Sequence, residues 1–156
     1  MAAEGVYASI SGRNHERGAI ALDEPYIIKF NTHADDRGKL VALEEGQELP
    51  FRLQRVYYMR GLSEDKPRGY HAHRNLLQLV ICLSGSCNFL LDNGRQTFDF
   101  HLNSPDEGLY IGNYMWREMH QLSRDCILLI LASEKYSPSD YIDDYDKFIE
   151  EIKTHA

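Results

Sequence analysis

The sequence has 156 residues, of which 43% are hydrophobic and 11% aromatic, and its formal net charge at pH 7 is −7. That length allows one domain with its own core. The acidic balance argues against nucleic-acid binding through a broad basic face, although a few local cations could still bind a diphosphate. No apolar stretch approaches the roughly 20 residues of a membrane-spanning helix, so we expect a cytoplasmic protein without membrane association.

The first 25 residues are small and polar, contain glycine and show no sustained hydrophobic period. They are typical of a flexible leader or a linker. From residue 26 onward the sequence contains short apolar runs, so we expect residues 26–156 to form a single domain.

Most of this domain consists of short runs rich in β-branched and aromatic residues. Turn-forming residues separate them, and the sequence Asp92-Asn93-Gly94 is the strongest hairpin signal. The predicted strands cover residues 26–30, 39–43, 52–59, 69–73, 76–83, 87–91, 96–102, 108–111, 115–120 and 126–132. Such a series predicts an all-β antiparallel sandwich or barrel.

Two further features of the sequence are its three cysteines and the apolar spacing of its C-terminal segment. Cys82, Cys87 and Cys126 lie in apolar runs without a CxxC pair, which predicts buried thiols in a reducing compartment. Near the C-terminus, apolar residues recur at helical spacing among acidic ones, at positions 141, 142, 145, 148, 149 and 152. This pattern predicts one amphipathic helix, with Asp140 capping its first turn.

The chemistry is concentrated in residues 67–78. Alternate side chains of a strand point to the same face, so His71 and His73 lie side by side while Tyr70 and Ala72 point away. Two adjacent imidazoles suit either metal chelation or proton transfer. Two inert surface histidines are the alternative, but Arg68 and Gly69 beside them, and an apolar strand after them, favour a site.

This segment resembles the first motif of the cupin superfamily, in which HxH is followed by a glutamate and then by a turn glycine. Here Gln78 stands in place of the glutamate, and Arg117 stands where the second cupin motif places a third histidine ligand. An amide removes a negative charge from a metal site, and a guanidinium repels a cation. We therefore expect no metal and no other cofactor, which leaves the histidines free for acid–base catalysis.

The closer resemblance is to the WxcM-like sugar ketoisomerases of the cupin superfamily. The matching stretches are residues 36–40, 50–58, 67–73, 78–86, 108–112, 116–119 and 131–142. The resemblance implies an RmlC-like jelly-roll barrel in a homodimer that exchanges N-terminal strands. It also implies a reaction in which dTDP-4-oxo-6-deoxy-glucose becomes its 3-oxo isomer, a precursor of 3-amino-3,6-dideoxy sugars in bacterial surface glycans such as the lipopolysaccharide O-antigen.

The same resemblance assigns the catalytic positions to His71, His73 and Tyr57. The C3 proton is acidic because it is alpha to the C4 carbonyl, so a base can remove it and form an enediolate across C3 and C4. We expect His71 to act as the base at carbon, with His73 and Tyr57 moving protons between the two oxygens.

Several cations are candidates for binding substrate, together with Gln78. In the resembling family, the positions of Arg37 and Arg117 bear on the C4 configuration of the product. Arg37 is similar to galacto-forming members and Arg117 to gluco-forming ones, and we favour the galacto product. Candidates for the diphosphate are Arg68, Arg55 and Lys29, because such cations bind phosphate oxygens.

Two other functions remain open from the sequence. One is a 3,5-epimerase of the same barrel type, with a histidine base and a tyrosine acid. The other is a non-catalytic cupin that binds sugar nucleotides, and a metal-dependent dioxygenase is a more distant third. Residues 1–25 fit either a natural extension or a linker to another sugar-modifying domain, such as an acyltransferase, in a longer protein.

Overall fold

The structure, a computed structural model, describes residues 24–155. Almost all of the predicted leader therefore lies outside the described residues. The described part is built mainly of antiparallel strands: β1 (Tyr26–Lys29), β2 (Thr32–Asp35), β3 (Gly38–Val41), β4 (Arg55–Met59), β5 (Arg68–His73), β6 (Gln78–Ser84), β7 (Cys87–Asp92), β8 (Thr97–Leu102), β9 (Glu107–Ile111), β10 (Trp116–His120), β11 (Ile127–Ala132) and β12 (Tyr141–Ile142). A 3-10 turn (Pro138–Asp140) precedes β12, and helix α1 (Tyr145–His155) follows it.

Two five-stranded sheets enclose the core. Their strand orders are β1-β9-β6-β11-β4 and β12-β5-β10-β7-β8, and β2 pairs with β3 in a separate two-stranded sheet. In β7, Cys87, Phe89 and Leu91 are buried and alternate with half-buried residues, as expected for a strand with one face toward the core. The all-β antiparallel architecture predicted from the sequence is thus confirmed.

The strand predictions overlap ten of the twelve observed strands. The Asp92-Asn93-Gly94 hairpin is also confirmed, because Asn93 N donates to Gln96 O between β7 and β8. The two short strands β2 and β12 were not predicted. Neither has a long enough run of alternating residues to be recognised without its partner strand.

The C-terminal helix begins later than its apolar spacing predicts. Tyr141 and Ile142 pair with β5 as strand β12, and the helix starts at Tyr145. The predicted cap at Asp140 was wrong: Asp144 takes that role, with its Oδ1 accepting a hydrogen bond of 2.8 Å from Lys147 N. The helix packs Phe148 and Ile152 into a buried cluster on the outside of the barrel.

The predicted burial of the cysteines is confirmed, since all three thiols are free and buried. Within residues 24–155, no helix is long and apolar enough to cross a membrane.

Candidate active site

A cavity of about 460 Å³ opens inside the barrel. Both five-stranded sheets contribute to its wall: Tyr57 and Gln78 come from one sheet, and His71, Arg117 and Tyr141 come from the other. Met59, Val80, Phe89, Met119 and Ile130 supply apolar surface. Polar groups on an apolar wall are typical of a small-molecule site.

A bulge in β5 shapes one side of the cavity. Arg117 is opposite His71 but Glu118 is opposite Gly69, so Tyr70 is the extra residue. Gly69 and Tyr70 have φ angles of +96° and +57°. A Cβ on Gly69 would lie 2.6 Å from the Arg117 carbonyl oxygen, so no larger residue fits there without a shift of backbone. The bulge redirects the strand directly before the histidines.

His71 is held by the backbone of its own strand. Its Nδ1 lies 3.0 Å from the Gly69 carbonyl oxygen. Because a carbonyl can only accept, Nδ1 carries the proton and Nε2 keeps the lone pair. Burial, with a further contribution from the nearby Arg117 charge, lowers the pKa of His71 below its usual range. His71 is therefore a neutral base at neutral pH.

His73 lies behind the cavity wall. Its side chain is only 2% exposed, and its Nδ1 lies 3.1 Å from Oδ2 of Asp140. Burial, followed by the charge of Arg117, lowers the pKa of His73 to about 2. The two imidazoles meet edge to face with their centres 4.9 Å apart, which confirms that they share a face of β5.

Arg117, Gln78 and Tyr57 form a directed chain of hydrogen bonds. Arg117 is buried and donates to the Met115 carbonyl oxygen and to Oε1 of Gln78. Because a guanidinium only donates, the Gln78 amide is fixed with its nitrogen toward Tyr57, and Nε2 donates to Tyr57 Oη over 2.6 Å. The phenol oxygen thus accepts from Gln78 and keeps its own proton to donate.

The ionisation states support this arrangement. Burial raises the pKa of Tyr57, so its phenol stays protonated at neutral pH. Burial lowers the pKa of Arg117 to about 10, which still leaves its guanidinium charged.

The donor set does not fit a cupin metal ion. Gln78 Oε1 is already occupied by Arg117, and the Arg117 charge acts on both histidines. A divalent cation beside them would be repelled. Residues 24–154 also contain no group of three His, Cys, Asp or Glu side chains arranged to hold a metal.

The predicted substrate-binding cations fall into two groups. Arg68 lines the cavity, and Arg55 lies close by, with its guanidinium 5.0 Å from the ring centre of Tyr57. Arg37 and Lys29 do not line this cavity. Arg37 pairs with Asp35 beside the turn between β2 and β3, and Lys29 pairs with Glu107.

Asp140 and Tyr141 belong to the site although their sequence pattern did not indicate it. Tyr141 lines the cavity, and its ring centre lies 5.0 Å from that of His71 and 4.3 Å from that of His73. Asp140 contacts His73 from 67 positions further along the chain. Their apolar neighbours at helical spacing concealed this strand, and only its pairing with β5 reveals it.

A double-sheet antiparallel barrel that encloses a cavity lined by His71, Tyr57 and a buried arginine is a fold of the cupin type. The family model described as "WxcM-like, C-terminal" (FdtA) matches residues 23–153. The chain is 46% identical over 125 residues to the TDP-4-oxo-6-deoxy-α-D-glucose-3,4-oxoisomerase of Aneurinibacillus thermoaerophilus, covering 80% of this chain and 90% of that protein.

This chain is also similar to solved structures of 3,4-ketoisomerases. A 3,4-ketoisomerase from Helicobacter canadensis has a TM-score of 0.81 and 43% identity, over 83% of this chain and 98% of that one. A histidine-to-asparagine mutant of the 3,4-ketoisomerase QdtA from Thermoanaerobacterium thermosaccharolyticum, in complex with TDP-4-keto-6-deoxyglucose, has a TM-score of 0.80 and 42% identity, over 83% and 94% of the chains. This chain belongs to the WxcM-like family. It is a sugar-nucleotide 3,4-ketoisomerase.

Proposed function

We propose that the protein converts dTDP-4-oxo-6-deoxy-glucose to its 3-oxo isomer without a metal, and that residues 26–156 form the whole catalytic domain. The observation that carries this proposal is the placement of His71 and Tyr57 in one cavity, the first with a free lone pair and the second with a free phenolic proton. Isomerisation between adjacent carbons requires such a base and such an acid. The relative with bound TDP-4-keto-6-deoxyglucose supports the choice of substrate.

The reaction begins at C3. His71 Nε2 removes the C3 proton, and the electron pair of that bond forms the C3–C4 double bond while the C4 carbonyl oxygen takes the Tyr57 proton. This transfer leaves a negative charge on the Tyr57 oxygen. The buried Arg117 charge stabilises it through Gln78, which donates to that oxygen. The intermediate is an enediol across C3 and C4.

The second half of the reaction reverses these roles. The O3 hydroxyl loses its proton to the Tyr57 oxygen, the carbonyl forms at C3, and the double bond takes a proton at C4 from protonated His71. Both groups return to their starting states, so the cycle balances without an oxidant or a reductant. His73 does not line the cavity, and its ring packs against those of His71 and Tyr141, so we propose that it acts on the reaction by supporting these two rings.

A metal-free mechanism is part of this proposal. The Arg117 guanidinium supplies the positive charge that a metal would otherwise supply, and it does so through hydrogen bonds to Gln78. Added chelator should therefore leave turnover unchanged.

The galacto configuration at C4 is the product that we propose, as the resemblance at Arg37 implies. Arg37 is exposed on the β2–β3 hairpin. For the diphosphate we propose Arg68, which is exposed at the cavity, with Arg55 and Lys29 as further contributors. The coupling between the C4 and C5 protons of the product distinguishes galacto from gluco, because only the gluco product places both protons axial.

We also propose a homodimer with exchanged N-terminal strands, in the reducing cytoplasm that the free cysteines favour. Two features support the dimer. Strand β4 is a sheet edge whose Val56 and Tyr58 side chains are 52% and 65% exposed, and the β2–β3 pair joins no other sheet of the described chain. Light scattering should give twice the chain mass, and Tyr58→Glu should lower it toward the monomer. A wild-type monomer would refute the dimer.

The experiment that tests the reaction is incubation with dTDP-4-oxo-6-deoxy-glucose, followed by NMR of the sugar. We expect the ketone to move from C4 to C3. Exchange at C3 or C5 with the ketone still at C4 would indicate an epimerase instead. Binding of the nucleotide sugar without any exchange would indicate a non-catalytic binding protein.

A further inference from the structure

The side chain of Asp140 lies behind the active site, on the 3-10 turn that precedes β12. It is 11% exposed, and its two oxygens have different partners. Oδ1 accepts from the backbone N of Asn75 at 2.8 Å and from its side-chain amide at 2.9 Å. Oδ2 faces Nδ1 of His73 at 3.1 Å. Oδ1 therefore holds the turn to Asn75, and Oδ2 is directed at the His73 imidazole.

We infer that Asp140 is a positioning residue that fixes the tautomer and orientation of His73 for the isomerisation. This inference rests on the proposed function. A carboxylate accepts hydrogen bonds and cannot donate them at neutral pH, so His73 Nδ1 must carry the proton and Nε2 must keep the lone pair. A carboxylate partner of this kind fixes the tautomer of a catalytic histidine in other enzymes.

The orientation of His73 matters because its ring touches two groups of the cavity wall. It meets His71 at 4.9 Å and Tyr141 at 4.3 Å between ring centres. Tyr141 follows Asp140 directly and pairs with His73 in the sheet. A shift of the Asp140 carboxylate would therefore move His73 against the proposed carbon base and against the Tyr141 ring.

Asp140 is itself held in place from both sides by Arg74. The backbone N of Arg74 donates to the Asp140 carbonyl oxygen at 3.0 Å. Its Nη1 donates to the carbonyl oxygens of Ser139 and Tyr141 at 2.7 and 2.9 Å. Its Nε and Nη2 bind the Glu151 carboxylate of helix α1 at 2.9 and 2.6 Å. The carboxylate is therefore preorganised before substrate arrives.

The test is Asp140→Asn, which preserves shape but removes one acceptor. The Asn oxygen can still accept from Asn75, which turns the amide nitrogen toward His73 and favours the opposite imidazole tautomer. We expect kcat to fall by about 10²-fold or more while KM stays within about threefold. Asp140→Glu, which keeps a carboxylate, should recover part of the loss. Asp144→Asn is the matched control, because Asn also caps helices well.

Imidazole ¹⁵N NMR of the substrate-free protein supplies a readout that does not depend on activity. His73, assigned with His73→Asn, should be protonated at Nδ1 in the wild type and at Nε2 in Asp140→Asn. The inference is overturned if wild-type His73 is protonated at Nε2, if Asp140→Asn keeps the wild-type kcat, or if it loses activity with the His73 tautomer unchanged. If the proposed function itself were wrong, the wild-type protein would not convert the sugar.

Discussion

At the scale of single residues, the site depends on donors and acceptors whose direction is fixed by their neighbours. The Gly69 carbonyl fixes the tautomer of His71, and the Arg117 guanidinium fixes the orientation of the Gln78 amide, which then fixes the Tyr57 hydroxyl. His71 and Tyr57 are therefore oriented before substrate binds, as the proposed proton transfers require.

Replacing Tyr57 with Phe tests the acid of the proposed mechanism. The change removes the proton donor for the substrate oxygen and leaves Gln78 Nε2 without its acceptor. We expect kcat to fall by roughly 10²- to 10⁴-fold, as for the loss of a general acid. Tyr58→Phe is the control, because the Tyr58 side chain points outward from the next position of the same strand. Equal activity of the two variants would exclude Tyr57 as the acid.

The pH profile of kcat/KM tests the ionisation of His71. A base must be unprotonated to act, and burial lowers the pKa of His71 below its usual value of 6.5. The rate should therefore stay level from neutral pH down to about 6.5 and fall only in more acidic solution. A decline that begins above pH 7 would contradict the burial of His71 in the free enzyme.

At the scale of secondary-structure elements, strands with clear alternation could be predicted from the sequence, and the histidine pair could be placed on one of them. The first residue of helix α1 and the existence of strand β12 could not be predicted. Tyr141 and Ile142 fit the helical spacing of the residues after them, but their hydrogen-bonding partners are His73 and Ala72, far earlier in the chain. For the same reason Asp140 was interpreted as a helix cap and not as a partner of His73.

Helix α1 should contribute to both stability and activity. Phe148 is fully buried against Trp116, with their ring centres 5.9 Å apart, and this contact holds the helix on the sheet that carries the histidines. Phe148→Ala should lower the free energy of unfolding by about 3–5 kcal/mol, measured by urea denaturation, and should also reduce kcat. Lys147→Ala, on the exposed side, is the control. Unchanged stability of Phe148→Ala would show that the helix does not dock as described.

At the scale of the whole molecule, the buried histidines connect stability to pH. Burial lowers the pKa values of His71 and His73 in the folded protein, whereas in the unfolded chain both have the usual value. Below about pH 6.5 the unfolded chain binds protons that the folded protein does not bind. The free energy of unfolding is therefore highest above that pH, and it decreases as the pH falls toward the pKa values of the folded protein.

Urea denaturation between pH 7 and pH 5 measures this effect. The free energy of unfolding should fall with a slope of up to about 1.4 kcal/mol per pH unit for each buried histidine. The slope should be smaller in His73→Asn. A wild-type stability that rises on acidification across this range would mean that the histidines are charged in the folded state.

The central claim is that His71 removes the C3 proton of the sugar, and the loss of deuterium from C3-deuterated dTDP-4-oxo-6-deoxy-glucose tests it most directly. Proton NMR should show deuterium leaving C3 as product forms with the wild type. His101→Asn, a change on an exposed strand position, should behave in the same way. His71→Asn should still bind the sugar nucleotide but should lose deuterium from C3 at least about 10²-fold more slowly. Loss of deuterium from C3 at the wild-type rate in His71→Asn would contradict the account.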